Sequence, residues 1–298
     1  MLIDPSVIAI PLQVSQRVLI ALTSISGLIL VAAGLSIIFG LMGVINLSHG
    51  ALMMVGAYMA FTVQDAGLPA WLGLVIAPIA VGLLGILIES SIIKRLYDRP
   101  LDTLLATWGI AIILREGIDL VYGTDSKSVD ALIGGEISLV GVTYPVYWLF
   151  IVLAAVTVLA FSAGVFKYTD IGIMAIAVIE DRQMAAASGI NTEWSDRLTF
   201  AFGSALAGLS GAIMAPLLSV NSNMGINWLV NSFLVVIVGG VGSFVGTGVG
   251  GILVGGLDNL FRTLSDFTSL AQAVVLLVAF VVIRFRPNGL IPAQKGGE

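Results

Sequence analysis

The chain has 298 residues, 58% of them hydrophobic and only 10% charged, with a mean hydropathy of +1.07; a soluble domain typically carries about 25% charged residues. That balance excludes a soluble enzyme and a nucleic-acid-binding surface and marks an integral membrane protein. With no cysteine there is no disulfide and no thiolate metal site, and the net charge of −5 does not fix orientation, which follows the placement of Lys and Arg.

The opening residues carry Asp4, Pro5 and Pro11 in place of a basic region, so no cleaved signal peptide is expected. Apolar runs long enough for helices then fall at 18–39, 44–63, 71–93, 101–122, 146–166, 198–220, 229–241, 246–260 and 270–283, given that a span needs about 20 apolar residues. The seventh and eighth are short enough to form one broken element. The expectation is an all-α polytopic membrane protein, one transmembrane domain over 1–298, with about eight or nine transmembrane helices. Lys94, Arg95 and Arg99 follow the third run, Lys167, Arg182 and Arg197 the fifth, and Arg284, Arg286 and Lys295 the last; these belong inside. The loop 123–145, with Asp125, Asp130 and Glu136 against Lys127, belongs outside, and parity then puts the N-terminus outside, with Arg17 counting against it.

Two stretches depart from ordinary spans. In 34–61, Asn46, Ser48 and His49, the chain's single histidine, sit between Gly43 and Gly50. Polar groups in hydrocarbon survive only where they are buried in protein or line a wet cavity, and flanking glycines suggest an interrupted helix. In 238–256, nine glycines crowd Ser243 and Thr247. Two interrupted hydrophobic segments point to a solute path at mid-membrane; close helix packing is the alternative, since Gly246 with Gly250 and Gly251 with Gly255 have the small-xxx-small spacing. Asn, Ser and Thr side chains both donate and accept hydrogen bonds. The candidate path residues are Asn46, Ser48, His49, Gly50, Gly240, Gly242, Ser243 and Thr247. For His49 a structural bond to backbone carbonyls is an equal alternative, and a metal role lacks a ligand set.

The inside loop 167–196 is too polar to span, yet Ile173, Ile176, Ala177, Val178, Met184, Ala185, Ala187 and Ile190 recur at helical spacing. Asp170 is a candidate N-cap and Gly189 a C-terminal cap. Glu180 and Asp181 outnumber Arg182 nearby, which favours docking on a protein over lying on lipid. Within the spans, Arg115 with Asp119 and Asp258 with Arg262 are four apart on one face and are expected to neutralise each other near the membrane boundary. Asn221, Asn223 and Asn227 stand in a nearly uncharged outside loop.

The runs GLSIIFGLMGVINLSHGALMMVGAYMA, IEDRQMAAASGIN and FLVVIVGGVGSFVGTGVGG, with RPNGL near the end, resemble the permease subunits of branched-chain amino-acid type ABC importers. RPLDTLLATWG, RLTFAFGSALAG and LVNSFLVVIVGGVG look closer to the urea-transporting branch. The resemblance implies a bacterial inner-membrane, multi-pass permease moving urea, or alternatively a branched-chain amino acid, by alternating access. It implies a cytoplasmic coupling helix, here Glu180, Asp181, Arg182, Met184, Ala185, Gly189 and Ile190, with Gln183 in place of the usual glutamate. It also implies two ATPase subunits, a second homologous permease and an extracytoplasmic solute-binding protein. No cofactor is expected in this chain; ATP and magnesium would be bound by the ATPase partners, and the sequence contains no GxxxxGK[ST] loop. Rival readings are a passive urea channel, which needs no docking helix, and an intramembrane serine protease built on the GLSG at Gly208–Gly211 with His49 as base.

Overall fold

The computed structural model describes residues 5–97, 99–139, 142–264 and 268–292. Each expected apolar run is a helix. In chain order they are α1 (Pro5–Met42), α2 (His49–Asp65), α3 (Trp71–Ser91), α4 (Pro100–Tyr122), α5 (Val146–Tyr168), the short pair α6 (Asp170–Glu180) and α7 (Arg182–Ala187), then α8 (Thr192–Met214), α9 (Met224–Gly239), α10 (Phe244–Leu264) and α11 (Thr268–Phe285). The loop after α4 holds a small antiparallel hairpin, β1 (Glu136–Leu139) and β2 (Val142–Pro145), with Ile137 opposite Tyr144.

Five helical stretches are long and apolar enough to cross a membrane by themselves: Gln16–Met42, Trp71–Arg95, Val146–Tyr168, Thr192–Leu217 and Phe244–Thr263. Among the rest, α2 and α9 have only 17 and 16 residues, and α4 carries Arg115, Glu116 and Asp119. The architecture is an all-α polytopic membrane protein.

Helix α8 is the centre of the bundle, and its small residues explain why. An added Cβ at Gly203 would meet Ile38 of α1, one at Gly208 would meet Val81 of α3, and one at Gly211 the Met53 carbonyl of α2. Without a hydrophobic drive between helices in lipid, close backbone approach supplies the packing energy. Gly255 and Gly251 of α10 rest in the same way on Ile25 and Ile29 of α1, in antiparallel register. The sequence-level packing alternative for the late glycines therefore describes Gly251 and Gly255 well.

Candidate translocation site and coupling surface

The first interruption is the link between α1 and α2. Gly43, at φ +68°, ends α1 in the left-handed conformation, with its N–H on the Phe39 carbonyl at 3.2 Å and that of Val44 on Ile38 at 3.4 Å. Asn46 then turns the chain: its Oδ1 accepts from the Ser48 amide at 3.0 Å and from the Ser48 hydroxyl. Thr107 of α4 accepts from the Leu47 amide at 3.1 Å and donates toward the carbonyls of Leu104 and Ile45, at 3.0 and 3.3 Å. His49 places Nε2 2.9 Å from the Val31 carbonyl of α1. A carbonyl only accepts, so Nε2 carries the proton. Val31 is 15 residues below Gln16 and 11 above Met42, roughly 22 and 16 Å along the axis; α2 therefore begins near the middle of the span.

Asn46, Ser48 and His49 are fully buried. Asn46 Oδ1 and Ser48 Oγ are spent within the break and His49 Nε2 on α1, while Asn46 Nδ2 and His49 Nδ1 have no partner among the described residues. Gly50 meets Gly225 backbone to backbone, where the first turns of α2 and α9 cross. Beside them lies a recess of about 40 Å³ between Leu47, Trp108, Arg115 and Asn223, room for water but not for an amino acid.

The second interruption does not lie at the midplane beside the first. Gly240 (φ +126°) and Gly242 (φ +78°) turn the chain between α9 and α10, and Gly242 packs on Gly40, two residues from the end of α1. That is nine residues, roughly 13 Å, below Val31. Ser243 Oγ caps α10 by accepting from the Gly246 amide at 3.0 Å, and the Thr247 hydroxyl donates to the Ser243 carbonyl at 2.9 Å. The chain after α11 returns to this corner, with the Leu290 and Ile291 amides donating to the carbonyls of Val238 and Gly239, each at 2.9 Å. Because that tail follows Arg284 and Arg286, the corner belongs at the inner face.

The loop 167–196 is two helices with a kink at Asp181. Thr169, not Asp170, caps α6, its hydroxyl accepting from the Gly172 amide; Asp170 is instead the first helical residue, where its charge suits the helix dipole. Gly172, Ala175 and Val178 pack inward, while Ile171, Ile173, Met174, Ile176 and Ile179 remain exposed. Asp181 Oδ1 caps α7 by accepting from the Met184 amide at 2.9 Å. Gly189, at φ +86°, closes α7 as its spacing foretold, with the Ile190 amide on the Ala185 carbonyl. Ala185 is buried, whereas Glu180, Asp181, Arg182 and Gly189 are exposed and Met184 is 63% exposed.

Behind α7 is a charge cluster that sequence reading missed. Arg182 pairs with Asp196 of α8 at 2.7 Å and lies over the Tyr97 ring. Tyr97 donates to the buried Glu89 of α3 at 2.9 Å, and Glu89 and Glu193 both face Arg197, each at 3.5 Å. Lys94 holds Glu193 at 2.6 Å. Burial and the adjacent carboxylates push the Tyr97 phenol well up, which keeps it a donor. Only Glu89, an acidic residue at the end of an apolar run, hinted at this in the sequence.

One further expectation changes. Arg115 pairs with Glu116 and Asn223, each at 3.4 Å, rather than with Asp119; Asp258 and Arg262 do pair, at 2.8 Å. In the GLSG segment, Ser210 donates to the Ala207 carbonyl of its own helix, and the His49 bond goes to Val31, so these two residues form no nucleophile–base pair.

Residues 17–283 match the family model of the branched-chain amino acid transport system permease component. The chain belongs to that family. The permease is 26% identical to the high-affinity branched-chain amino acid transport system permease protein LivH of Salmonella typhimurium, over 88% of this chain and 90% of the relative. It is 29% identical to BraD of Pseudomonas aeruginosa, a permease protein of the same description, over 93% and 95%. The ribose import permease protein RbsC of Haemophilus influenzae is 26% identical over 86% and 81%. No solved structure matches. The permease is thus a multi-pass inner-membrane transport component rather than an enzyme.

Proposed function

We propose that this chain is the membrane-spanning subunit of an ABC importer for branched-chain amino acids. The match over residues 17–283 to permease components of that description carries the reading, and the names of the relatives favour branched-chain amino acids over the urea expected from residues 99–109, 197–208 and 229–242. Two ATPase subunits that bind ATP and magnesium, a second homologous permease and a solute-binding protein complete the assembly. ATP binding can shift the permease only through contacts that differ between its two states. Helix α7 is where those contacts are made, with Glu180, Asp181, Arg182, Met184, Ala185, Gly189 and Ile190 against the ATPase.

The two links are the joints of alternating access. Asn46, Ser48, His49 and Gly50 form the mid-span joint, where hydrogen bonds rather than a continuous helix hold the angle between α1 and α2. Gly240, Gly242, Ser243 and Thr247 form the inner joint. Uptake of labelled leucine and labelled urea, in cells carrying this chain with its partners, tests the solute. Leucine uptake that needs ATP supports the reading; urea uptake alone would return the chain to the urea branch, and uptake persisting without ATP would make it a channel.

A further inference from the structure

A cavity of about 600 Å³ opens between α1, α9, α10 and α11, and one side of it is polar: Asn227, Asn231, Asp258, Asn259, Arg262 and Gln272. It lies in the outer half of the span, because Ser24 and Leu28 of α1 also line it, 8 and 12 residues in from Gln16, or roughly 12 to 18 Å along the axis. Asn227 and Asn231 are four apart on α9 and so share a face. Neither of their side chains, nor that of Gln272, makes a hydrogen bond among the described residues. An amide without a partner, turned toward hydrocarbon, costs several kcal/mol, and intramembrane polar residues face a wet cavity or another chain. The wall is therefore not a lipid-facing surface. Its ion pair, Asp258 with Arg262 at 2.8 Å, leaves both groups reachable, with side-chain exposures of 20% and 45%. Leu28, Ile226 and Val230 supply an apolar flank.

We infer that this cavity, rather than the buried Asn46–His49 break, is the wall that recognises the solute on its way in from the outer face. The inference rests on the importer reading above and names the residues for it. The chemistry fits a zwitterionic amino acid with an aliphatic side chain. Its ammonium meets Asp258 and its carboxylate meets Arg262 in charge-assisted hydrogen bonds, the Asn and Gln amides satisfy what remains, and the aliphatic part rests on Leu28, Ile226 and Val230. A cavity of this size is ordinary for a small-molecule site.

Because the chain has no cysteine, single-cysteine variants test this in the assembled importer in intact cells. Asn231→Cys should react with a membrane-impermeant, charged thiol reagent about tenfold or more faster than Leu153→Cys, an exposed apolar position on α5, since a charged reagent does not enter hydrocarbon. Leucine should slow the Asn231→Cys reaction, and labelling should abolish leucine uptake. In separate variants, Asp258→Asn or Arg262→Gln should raise the leucine concentration for half-maximal uptake about tenfold or more, the cost of a charged hydrogen bond. The inference is overturned if Asn231→Cys reacts only with a lipophilic reagent, or if it is labelled without protection by leucine or loss of uptake. Transport at unchanged affinity by both charge variants would also overturn it. If either charge variant fails to insert, the labelling experiment decides alone. An importer that moves urea and not leucine, with urea protecting Asn231→Cys, would refute the solute assigned above while leaving the cavity as the path.

Discussion

Thr107 shows how a single hydroxyl holds the mid-span joint together. It is fully buried and satisfies the Leu47 amide from another helix, so Thr107→Val leaves that donor unpaired in the interior. The expected loss is about 1–3 kcal/mol, measured as a lower Tm of the detergent-solubilised protein, with Thr107→Ser recovering most of it. The sequence marked Asn46, Ser48 and His49 as unusual because they are polar amid apolar neighbours. It could not mark Thr107, which lies 60 residues away and whose type is ordinary in any helix. The sequence also left the role of His49 open between solute contact and backbone brace; its bond to Val31 across 18 residues fits the brace. At Gly50 an added methyl would collide with the Gly225 carbonyl, and backbone cannot swing aside as a side chain can. Gly50→Ala should therefore destabilise by about 1–3 kcal/mol, read in the same melt, and lower the amount of protein in the membrane.

At the scale of elements, the cytoplasmic loop was readable as helical and docking-competent but not as two pieces. Its period of apolar residues runs on through Glu180, while the stop is made by the Asp181 side chain capping the next helix, a local choice that periodicity does not register. The split separates duties. Helix α6 is anchored by Gly172, whose added Cβ would strike the backbone at Phe166, and α7 stands out with Met184 on its exposed side. Gly189→Pro forces φ near −65° on a residue at +86° and removes the N–H that bonds the Ala186 carbonyl. The expected outcome is normal insertion with ATP hydrolysis no longer linked to uptake; full uptake by this variant would remove α7 from the coupling role. The charge cluster behind α7 makes a separate prediction. Arg182→Gln breaks the 2.7 Å pair with Asp196 and the stacking on Tyr97, detaching α7 from α3 and α8, and leaves Asp196, whose side chain is only 10% exposed, without its cation; leucine uptake should fall several-fold, accompanied by a lower Tm of the solubilised protein from a loss of about 1–3 kcal/mol.

Across the whole molecule, hydropathy sufficed to place the apolar helices and their order, because lipid permits little except helices. It did not reveal that the two glycine-rich breaks sit at different depths. That depends on which glycine meets which, Gly50 with Gly225 and Gly40 with Gly242, and such pairings are long-range facts. Nor did it reveal the amide-lined cavity, whose members come from α9, α10 and α11 and look, one by one, like scattered polar residues at span ends. The strap formed by Leu290 and Ile291 on the α9–α10 corner has a consequence for biogenesis. The corner emerges from the ribosome some fifty residues before the segment that latches it, so it remains unlatched until α10 and α11 have both been made. A chain stopped after Arg286 should insert every helix, yet leave two carbonyls at that bend unsatisfied and fall to membrane quality-control proteases, whereas one stopped after Pro292 should persist.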